Sequence, residues 1–153
     1  MMGELPLKDY QDVYFSRPMY GAATPLFDTD QPGPAPTPES RISAVAGIAD
    51  PEHFFDKVRE LFPETEELIV YDDHHPYDED DLEELRELIQ DPDCFLITTE
   101  KDGMRLLSHA DQLTPEERSR ILYLPIEVSL SPKQERRFRE RLQRAIKNNG
   151  LHL

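Results

Sequence analysis

Short apolar runs alternate with helical patterns along the central part of the chain. Four runs have the length of buried strands, and each is followed by a segment in which apolar residues recur every three or four positions. Such alternation is typical of a mostly parallel sheet whose crossover helices cover both faces. The pattern therefore predicts an α/β fold with about four strands. The predicted strands are residues 43–49, 68–71, 94–98 and 121–130.

Each strand leads into a helix that is predicted from a cap and an apolar stripe. Asp50, which precedes a proline, is expected to cap the first helix, and the second helix follows Tyr77. The third helix is short, and Asp102 is expected to cap it at Gly103. The fourth, over residues 131–148, is basic and is expected to dock through an inward apolar stripe. That stripe comprises Phe138, Leu142 and Ile146.

The chain before these units has a different pattern. Residues 13–20 are aromatic and alternate as a strand would, and Pro18 predicts an edge position because proline cannot donate to a ladder. Prolines recur in the next segment, which favours extended, unpaired backbone. We therefore expect a hinge strand segment over residues 1–27, a proline-rich linker or loop over 28–41, and an α/β lobe over 42–150.

Charge and cysteine content restrict the partners. The formal net charge is −15 at pH 7, which argues against nucleic acid because phosphate binding needs a basic surface. Cys94 is the only cysteine, so an internal disulfide is excluded and a cytoplasmic location is expected. No apolar run reaches the ~20 residues that span a bilayer. The basic last helix could instead lie on anionic lipid, as an alternative to docking on the protein.

No phosphate-binding loop is present in the sequence. The six glycines never satisfy the pattern Gly-x-x-x-x-Gly-Lys-Ser/Thr, which wraps backbone amides around phosphates. Gly47 is interpreted as the glycine of a tight turn between a strand and a helix. We therefore expect this chain to bind no nucleotide cofactor by itself.

Polar residues follow three of the predicted strands, where ligands collect in parallel sheets. The cluster Asp72-Asp73-His74-His75 combines carboxylate and imidazole, which can bind a metal or move a proton. Adjacent residues cannot all face one ion, and no second cluster follows another strand, so we predict no metal site. Three interpretations stay open at this point. The cluster is a polar loop in which Asp73 acts as a cap, a site at which His74 handles a proton or contacts substrate, or, least favoured, part of a metal site.

Four motifs follow one another along the chain. They are Ala44-Val45-Ala46-Gly47-Ile48-Ala49-Asp50-Pro51, Asp73-His74-His75-Pro76-Tyr77, Thr98-Thr99-Glu100-Lys101-Asp102 and Tyr123-Leu124-Pro125-Ile126-Glu127-Val128. In this order and spacing they resemble the C-terminal half of the tetraacyldisaccharide 4'-kinases, the lipid A 4'-kinases. The resemblance covers about residues 10–148.

The resemblance implies a role in the lipid A and lipopolysaccharide biosynthesis of Gram-negative bacteria. Such a kinase transfers the ATP γ-phosphate to the 4'-hydroxyl of a tetraacyldisaccharide 1-phosphate, with magnesium, at the cytoplasmic face of the inner membrane. The family's N-terminal lobe holds the phosphate loop, the magnesium ligands, a catalytic aspartate and a membrane anchor. None of these is in this chain. We therefore expect it to be inactive alone, with that lobe, the lipid precursor and the membrane surface as partners.

The resemblance also assigns site residues. The family's Asp-His-x-x-Tyr/Phe motif falls on Asp73, His74 and Tyr77, and its histidine is expected to assist an aspartate base from the missing lobe. An imidazole can orient such a base or accept its proton, because a sugar hydroxyl is a poor nucleophile at neutral pH. Tyr77 and Lys101 are candidates for substrate binding, although Lys101 equally fits a solvated loop. Gly103 stands where the family usually has alanine.

Two other function classes remain as alternatives. One is a stand-alone metal-dependent phosphoesterase built on the Asp-His-His sequence, with Asp28-Thr29-Asp30 as a second acidic motif. That motif lies in the proline-rich segment and follows no predicted strand, which counts against it. The other alternative is a non-catalytic interaction module that retains the fold without the chemistry.

Overall fold

The protein is described by a computed structural model, which covers residues 11–28 and 33–148. The chain divides into two units: Tyr20–Ile126, and Met1–Met19 together with Glu127–Leu153. The predicted division into hinge, linker and lobe stays a prediction. The elements are β1 (Ser16–Tyr20), β2 (Thr24–Pro25), β3 (Arg41–Ala46), α1 (Glu52–Leu61), β4 (Thr65–Val70), α2 (Glu79–Leu88), β5 (Cys94–Thr99), α3 (Glu100–Leu106), a 3₁₀ helix (Leu107–Gln112), α4 (Pro115–Arg118), β6 (Ile121–Leu124), β7 (Ile126–Leu130) and α5 (Pro132–Asn148).

The larger unit is built on a five-stranded sheet in the order β2-β6-β5-β3-β4. Strands β3, β4, β5 and β6 run parallel, whereas β2 pairs antiparallel with β6. This arrangement confirms the predicted α/β fold with a mostly parallel sheet. The sequence does not predict the fifth strand, because two residues are too few to show a period-two pattern. Pro25 lies at the edge of the sheet, where a missing N–H is tolerated.

Helices cover both faces of this sheet, as predicted. On one face α1 packs Phe54 and Val58 against the sheet, and on the other α2 contributes Leu85. Side chains of β3 alternate between the two, so that Ile42 joins the α1 cluster and Val45 joins the α2 cluster. All five are 2% exposed or less. Burying each such side chain contributes about 1.5–3 kcal/mol, so the two clusters hold the sheet and its helices in register.

The smaller unit pairs β1 with β7 in a two-stranded sheet. In α5 the Phe138 ring meets Tyr14 edge to face at 5.3 Å, and Asp12 accepts hydrogen bonds from Arg137 and Arg141. No described residue of α5 is buried, and Phe138 and Leu142 are 43% and 49% exposed. The predicted inward stripe is therefore wrong, because the contact with Tyr14 covers only part of the apolar face. No helix in the described part of the chain is long and apolar enough to cross a membrane.

The first two helices differ in how they begin. Helix α1 has Pro51 at its N-cap and no side-chain cap, so Asp50 does not cap it as predicted. Helix α2 follows Tyr77 as predicted, with Asp78 as its N-cap. The Asp78 carboxylate accepts from the Asp81 amide, and the Asp81 carboxylate accepts in return from the Asp78 amide. This reciprocal pair satisfies two backbone donors that the helix itself leaves free.

The predicted cap of α3 is also wrong. The helix begins at Glu100, and Thr99 is its N-cap, with Oγ1 accepting from the Asp102 amide at 3.1 Å. Asp102 therefore lies inside the first turn and does not cap a helix that starts at Gly103. The sequence does carry the signal, since threonine followed three residues later by an acid is a common helix start.

Strand limits differ from the predictions where proline intervenes. The predicted strand over residues 121–130 is two strands, β6 and β7, separated by Pro125, whose missing N–H interrupts a ladder. The predicted edge strand over residues 13–20 begins at Ser16 and belongs to the separate two-stranded sheet. Of the predicted proline-rich segment, residues 29–32 lie outside the described residues. Residues 33–40 contain no strand or helix.

Candidate functional site

Three strand ends meet at one edge of the larger sheet. Ala46 at the end of β3 pairs with Val70 at the end of β4. Beyond them, the Gly47 amide donates to the Asp102 carboxylate of α3 at 2.9 Å, and the Gly47 carbonyl accepts from the His74 amide at 3.2 Å. These bonds confirm the predicted convergence of the loops that follow β3, β4 and β5.

Asp102 is the buried centre of this edge. Its side chain is 0% exposed, and a buried carboxylate is costly unless it is paired. Oδ2 accepts from the Gly47 amide at 2.9 Å and from the Thr99 hydroxyl at 2.6 Å. Oδ1 accepts from Nη1 of Arg105 at 2.8 Å. These three bonds tie β3, the end of β5 and α3 to one side chain.

Gly47 is required by close packing. A Cβ atom at this position would lie 3.0 Å from Oδ1 of Asp102, 3.2 Å from the carbonyl oxygen of Asp72 and 3.4 Å from Cβ of His75. The first two distances are shorter than ordinary contacts, and the second of these neighbours is a backbone atom. The backbone of this strand exit therefore approaches the other two closely, and the predicted tight turn at Gly47 stays a prediction.

Arg105 connects the buried carboxylate with the surface. Its Nη1 donates to Asp102 and, at 3.4 Å, to the Gly47 carbonyl. Its Nη2 lies 3.1 Å from Nδ1 of His74. The guanidinium is 25% exposed, so it lies mostly beneath the surface with its second nitrogen at the imidazole. Arg105 was not predicted as a site residue, because its contacts with Gly47 and His74 join positions far apart in sequence and no local motif marks it.

His74 lies at the exposed end of this chain of contacts. Its side chain is 70% exposed, and its Nε2 is 3.6 Å from the Asp73 carboxylate. Its backbone has φ 62°, the left-handed conformation that costs about 1–3 kcal/mol for a residue other than glycine. The hydrogen bond from the His74 amide to the Gly47 carbonyl and the contact of the ring with Arg105 offset this cost. Strained residues held by their surroundings occur often at functional sites.

His75 has an entirely different environment. Its ring stacks on Tyr71 with the centroids 4.4 Å apart and the planes at 11°, and Tyr77 meets it edge to face. Its Nε2 lies 2.8 Å from Oδ2 of Asp81. Burial would raise the pKa of Asp81, but the bonds from the Asp78 amide and the His75 ring outweigh burial and lower it. His75 therefore connects the loop to the cap of α2.

Tyr77 lies beneath the edge, 6% exposed. Its hydroxyl makes no hydrogen bond of ordinary geometry with a described residue, but it lies close enough to the Asp102 carboxylate to interact with it. Burial raises its pKa, and the negative charge of Asp102 raises it further. A buried hydroxyl without a hydrogen bond of ordinary geometry is uncommon in proteins. The predicted contact between Tyr77 and substrate stays a prediction.

The remaining predicted residues lie nearer the solvent. Asp73 is 40% exposed beside His74. Lys101 is exposed on the first turn of α3 and makes no ion pair or hydrogen bond with any described residue. The structure thus brings Asp73 and His74 together, places Tyr77 below them, and leaves Lys101 outside the Asp102 contacts.

The residues that the structure describes contain no group of three or more His, Cys, Asp or Glu side chains that could hold a metal ion. Of the acidic motif proposed as a second cluster, Thr29 and Asp30 lie outside the described residues, and Asp28 is exposed.

Comparison with known proteins adds independent information. The profile of the family described as tetraacyldisaccharide-1-P 4'-kinase matches residues 12–147. The chain is 37% identical over 152 residues to the tetraacyldisaccharide 4'-kinase of Porphyromonas gingivalis ATCC 33277, covering 95% of this chain and 41% of that protein. With the kinase of Bacteroides thetaiotaomicron it shares 28% over 158 residues, with the same coverage.

A third relative matches more closely over a shorter segment. The tetraacyldisaccharide 4'-kinase of Maricaulis maris is 46% identical over 72 residues, which is 47% of this chain and 21% of that protein. The chain thus spans about two-fifths of the length of the first two relatives. No solved structure matches it.

Proposed function

The chain belongs to the tetraacyldisaccharide-1-P 4'-kinase family, and we propose that it supplies the C-terminal lobe of such an enzyme. The complete enzyme transfers the γ-phosphate of ATP to the 4'-hydroxyl of a tetraacyldisaccharide 1-phosphate. The family match over residues 12–147 supports this proposal, as does the 41% of the Porphyromonas gingivalis and Bacteroides thetaiotaomicron kinases that the chain covers. The remaining part of the enzyme is its principal partner, and the lipid precursor is its substrate.

ATP and magnesium are assigned to that partner lobe. Phosphoryl transfer needs backbone amides, a lysine and a metal around the triphosphate. The sequence of this chain contains no Gly-x-x-x-x-Gly-Lys-Ser/Thr loop. The residues of the chain therefore do not fit a magnesium–triphosphate site, and we expect the isolated chain to be inactive. Because the substrate is a lipid, the complete enzyme is expected to work at the cytoplasmic face of the inner membrane.

The exposed but firmly held position of His74 is the observation that best supports the proposal. It is 70% exposed at the edge where the strand ends meet, yet its backbone and its Nδ1 are both held by hydrogen bonds. An exposed imidazole held in one orientation is suited to assist a carboxylate base supplied by the partner lobe. Such assistance contributes about 10²–10⁴-fold to a proton-transfer step. Asp73 places a negative charge 3.6 Å from Nε2, and Lys101 is available to the 1-phosphate of the substrate.

The proposal is tested by restoring the missing lobe. The part of the Porphyromonas gingivalis kinase that this chain does not cover is fused to the N-terminus of the chain. Transfer of labelled γ-phosphate from ATP to a tetraacyldisaccharide 1-phosphate is then measured. The fusion protein should transfer phosphate, and the 153-residue chain alone should not.

Calorimetric titration of the isolated chain with Mg-ATP is the companion measurement. We expect no binding tighter than a Kd of about 100 μM, which corresponds to roughly −5.5 kcal/mol. Tight binding by the isolated chain, or transfer of phosphate by it, contradicts the assignment of the nucleotide to the partner lobe. An intact relative assayed in parallel verifies the substrate preparation.

A further inference from the structure

We propose that Arg105 is a positioning residue that fixes His74 as the tautomer protonated at Nε2, so that His74 acts as a hydrogen-bond donor at the open edge. The tautomer follows from the contacts of this chain, and its use in catalysis rests on the proposed function. The inference distinguishes two roles that the sequence leaves open for His74, which are to orient a base or to accept its proton.

The hydrogen bond between Arg105 and His74 has only one possible direction. A guanidinium has five N–H donors, no acceptor, and is not deprotonated in proteins. At 3.1 Å from Nη2 of Arg105, Nδ1 of His74 must therefore be the acceptor. A neutral imidazole has one donor and one acceptor nitrogen, so its proton is then on Nε2.

The guanidinium of Arg105 is itself held in place. Nη1 bonds the fully buried Asp102 carboxylate at 2.8 Å and lies 3.4 Å from the Gly47 carbonyl. Asp102 is fixed in turn by Gly47 and Thr99. A planar guanidinium anchored through one nitrogen presents its other nitrogen in a defined direction. Arg105 therefore links the fixed carboxylate of Asp102 to the exposed imidazole of His74.

The backbone of His74 is held by the same carbonyl that contacts Arg105. The Gly47 carbonyl accepts one hydrogen bond from the His74 amide, at 3.2 Å, and another from Nη1 of Arg105. The Gly47 carbonyl thus holds the backbone of His74 directly and its ring indirectly, through Arg105. Because Nδ1 contacts Arg105, Nε2 is the ring nitrogen left for another partner. Asp73 lies 3.6 Å from Nε2, which is beyond an ordinary hydrogen bond. The Nε2–H therefore remains available to an acceptor that approaches the edge.

Under the proposed function, that acceptor is the carboxylate base of the partner lobe. The substrate hydroxyl transfers its proton to this carboxylate while its oxygen attacks the γ-phosphorus. The bond from that phosphorus to the β,γ-bridging oxygen breaks, and ADP leaves with the electron pair. His74 holds the carboxylate through Nε2–H. Proton transfer to Nδ1 of His74 would require the loss of the Arg105 bond. The geometry therefore favours the orienting role over the proton-accepting role.

The tautomer is measured by long-range ¹H–¹⁵N correlation of the histidine rings in the 153-residue chain. The spectrum is recorded at about pH 8, above the ordinary imidazole pKa of about 6.5. We expect Nε2 of His74 to be protonated and Nδ1 to be unprotonated, and a His74→Asn spectrum assigns the signals. A protonated Nδ1 in the unmodified chain overturns the inference without any further variant.

Arg105→Met then tests the cause. In this variant the Nε2 signal should move toward the unprotonated position, because both tautomers become populated. Nε2 is the reporter because it does not contact Arg105. His75 is the internal control, since its Nε2 bonds Asp81 and should stay protonated. Arg118→Met, which removes an arginine bonded to the Leu113 carbonyl, is the matched control and should leave His74 unchanged. An unmoved Nε2 in folded Arg105→Met overturns the inference.

The reciprocal variant keeps the test decisive if Arg105→Met does not fold. His74→Ala removes a mostly exposed ring, and it should shift the guanidinium signals of Arg105. His53→Ala, another exposed histidine of the same unit, should leave them in place. Unchanged Arg105 signals in His74→Ala contradict the contact.

Activity separates this inference from the proposed function. In the fusion protein, Arg105→Met should lower kcat while KM changes less than threefold, because Arg105 acts through His74. An inactive fusion together with the expected spectra contradicts the proposed function alone. A fusion that loses activity in His74→Asn and retains it in Arg105→Met contradicts the role of Arg105 alone.

Discussion

His74 and His75 are neighbours in sequence, but they belong to two different parts of the loop that follows β4. His74 is 70% exposed, has a left-handed backbone and contacts Arg105. His75 is 25% exposed, stacks on Tyr71 and bonds Asp81 at the start of α2. His74 is thus held at the surface by its backbone and by Arg105, whereas His75 joins the loop to the start of α2. Substitution of His74 should therefore lower activity, whereas substitution of His75 should lower the free energy of unfolding.

The largest expected effect is on catalysis. In the fusion protein, His74→Asn should lower kcat by about 10²–10⁴-fold and change KM much less, because the ring acts mainly in the transition state. Asparagine tolerates the left-handed backbone, so the variant removes the imidazole without adding strain. Steady-state kinetics at saturating ATP measure the effect.

The control for this prediction is His75→Asn, which should reduce kcat far less. Equal losses of kcat in the two variants would remove the functional difference between the histidines. A His74→Asn variant in which only KM rises would instead assign His74 to substrate binding.

Removing Asp102 should produce the largest loss of stability. Asp102→Ala leaves the guanidinium of Arg105, the Gly47 amide and the Thr99 hydroxyl without their shared partner. Breaking a buried charge pair in this way typically costs 3–5 kcal/mol. Urea denaturation followed by circular dichroism measures the free energy of unfolding. The matched control is Asp73→Ala, which removes a partly exposed carboxylate and should stay within about 0.5 kcal/mol. Similar losses for the two aspartates would contradict a structural role for Asp102.

His75 should matter for stability at an intermediate level. His75→Ala loses the stacking on Tyr71, a type of contact that contributes about 0.5–1.5 kcal/mol, and part of the value of the bond to Asp81. We expect a total loss of about 1–2 kcal/mol in urea denaturation. His53→Ala, an exposed histidine on α1, serves as the control and should change stability by less than about 0.5 kcal/mol.

The same variant should change the response to acid. Because the pKa of Asp81 is lowered in the folded state, its charge contributes stability above the unfolded pKa of about 3.9. That contribution is lost as the pH falls through the folded pKa. His75→Ala removes one of the bonds that lower this pKa, so its stability should fall less steeply on acidification. An identical pH dependence in the two proteins would contradict the His75–Asp81 contact.

The fold was predictable because burial imposes local patterns. Strands buried on both faces are short apolar runs, and a helix such as α1 has apolar residues at helical spacing, for example Phe54 and Val58. The meeting of the strand exits then follows from parallel topology. Strand β2 could not be predicted in this way, because two residues carry no period. The caps assigned to Asp50 and Asp102 were wrong because Pro51 and Thr99 occupy those positions.

The site was predictable only in part. His74 was identified through its motif, but a motif does not show which of two adjacent histidines faces the solvent. The role of Asp102 depends on its bond to Gly47, 55 positions earlier, and that of Arg105 on a contact 31 positions away. Such long-range contacts leave no period or spacing in the sequence. The pattern Thr99-x-x-Asp102 indicates a helix start, but it gives no indication of the buried carboxylate.

The smallest expected effect is at Tyr77, which lies between the two histidine environments. Tyr77→Phe keeps the ring that packs against His75 and removes its buried hydroxyl. Stability at pH 7 should therefore change by less than about 1 kcal/mol, because the hydroxyl makes no hydrogen bond of ordinary geometry with a described residue. Because the pKa of Tyr77 is raised in the folded state, its neutral form contributes stability that is lost as the pH rises above the unfolded value of about 10. Tyr77→Phe should thus lose less stability than the unmodified chain between about pH 9 and 11. In the fusion protein, a several-fold increase in KM for the lipid would show that the hydroxyl contacts substrate, and an unchanged KM would restrict Tyr77 to packing.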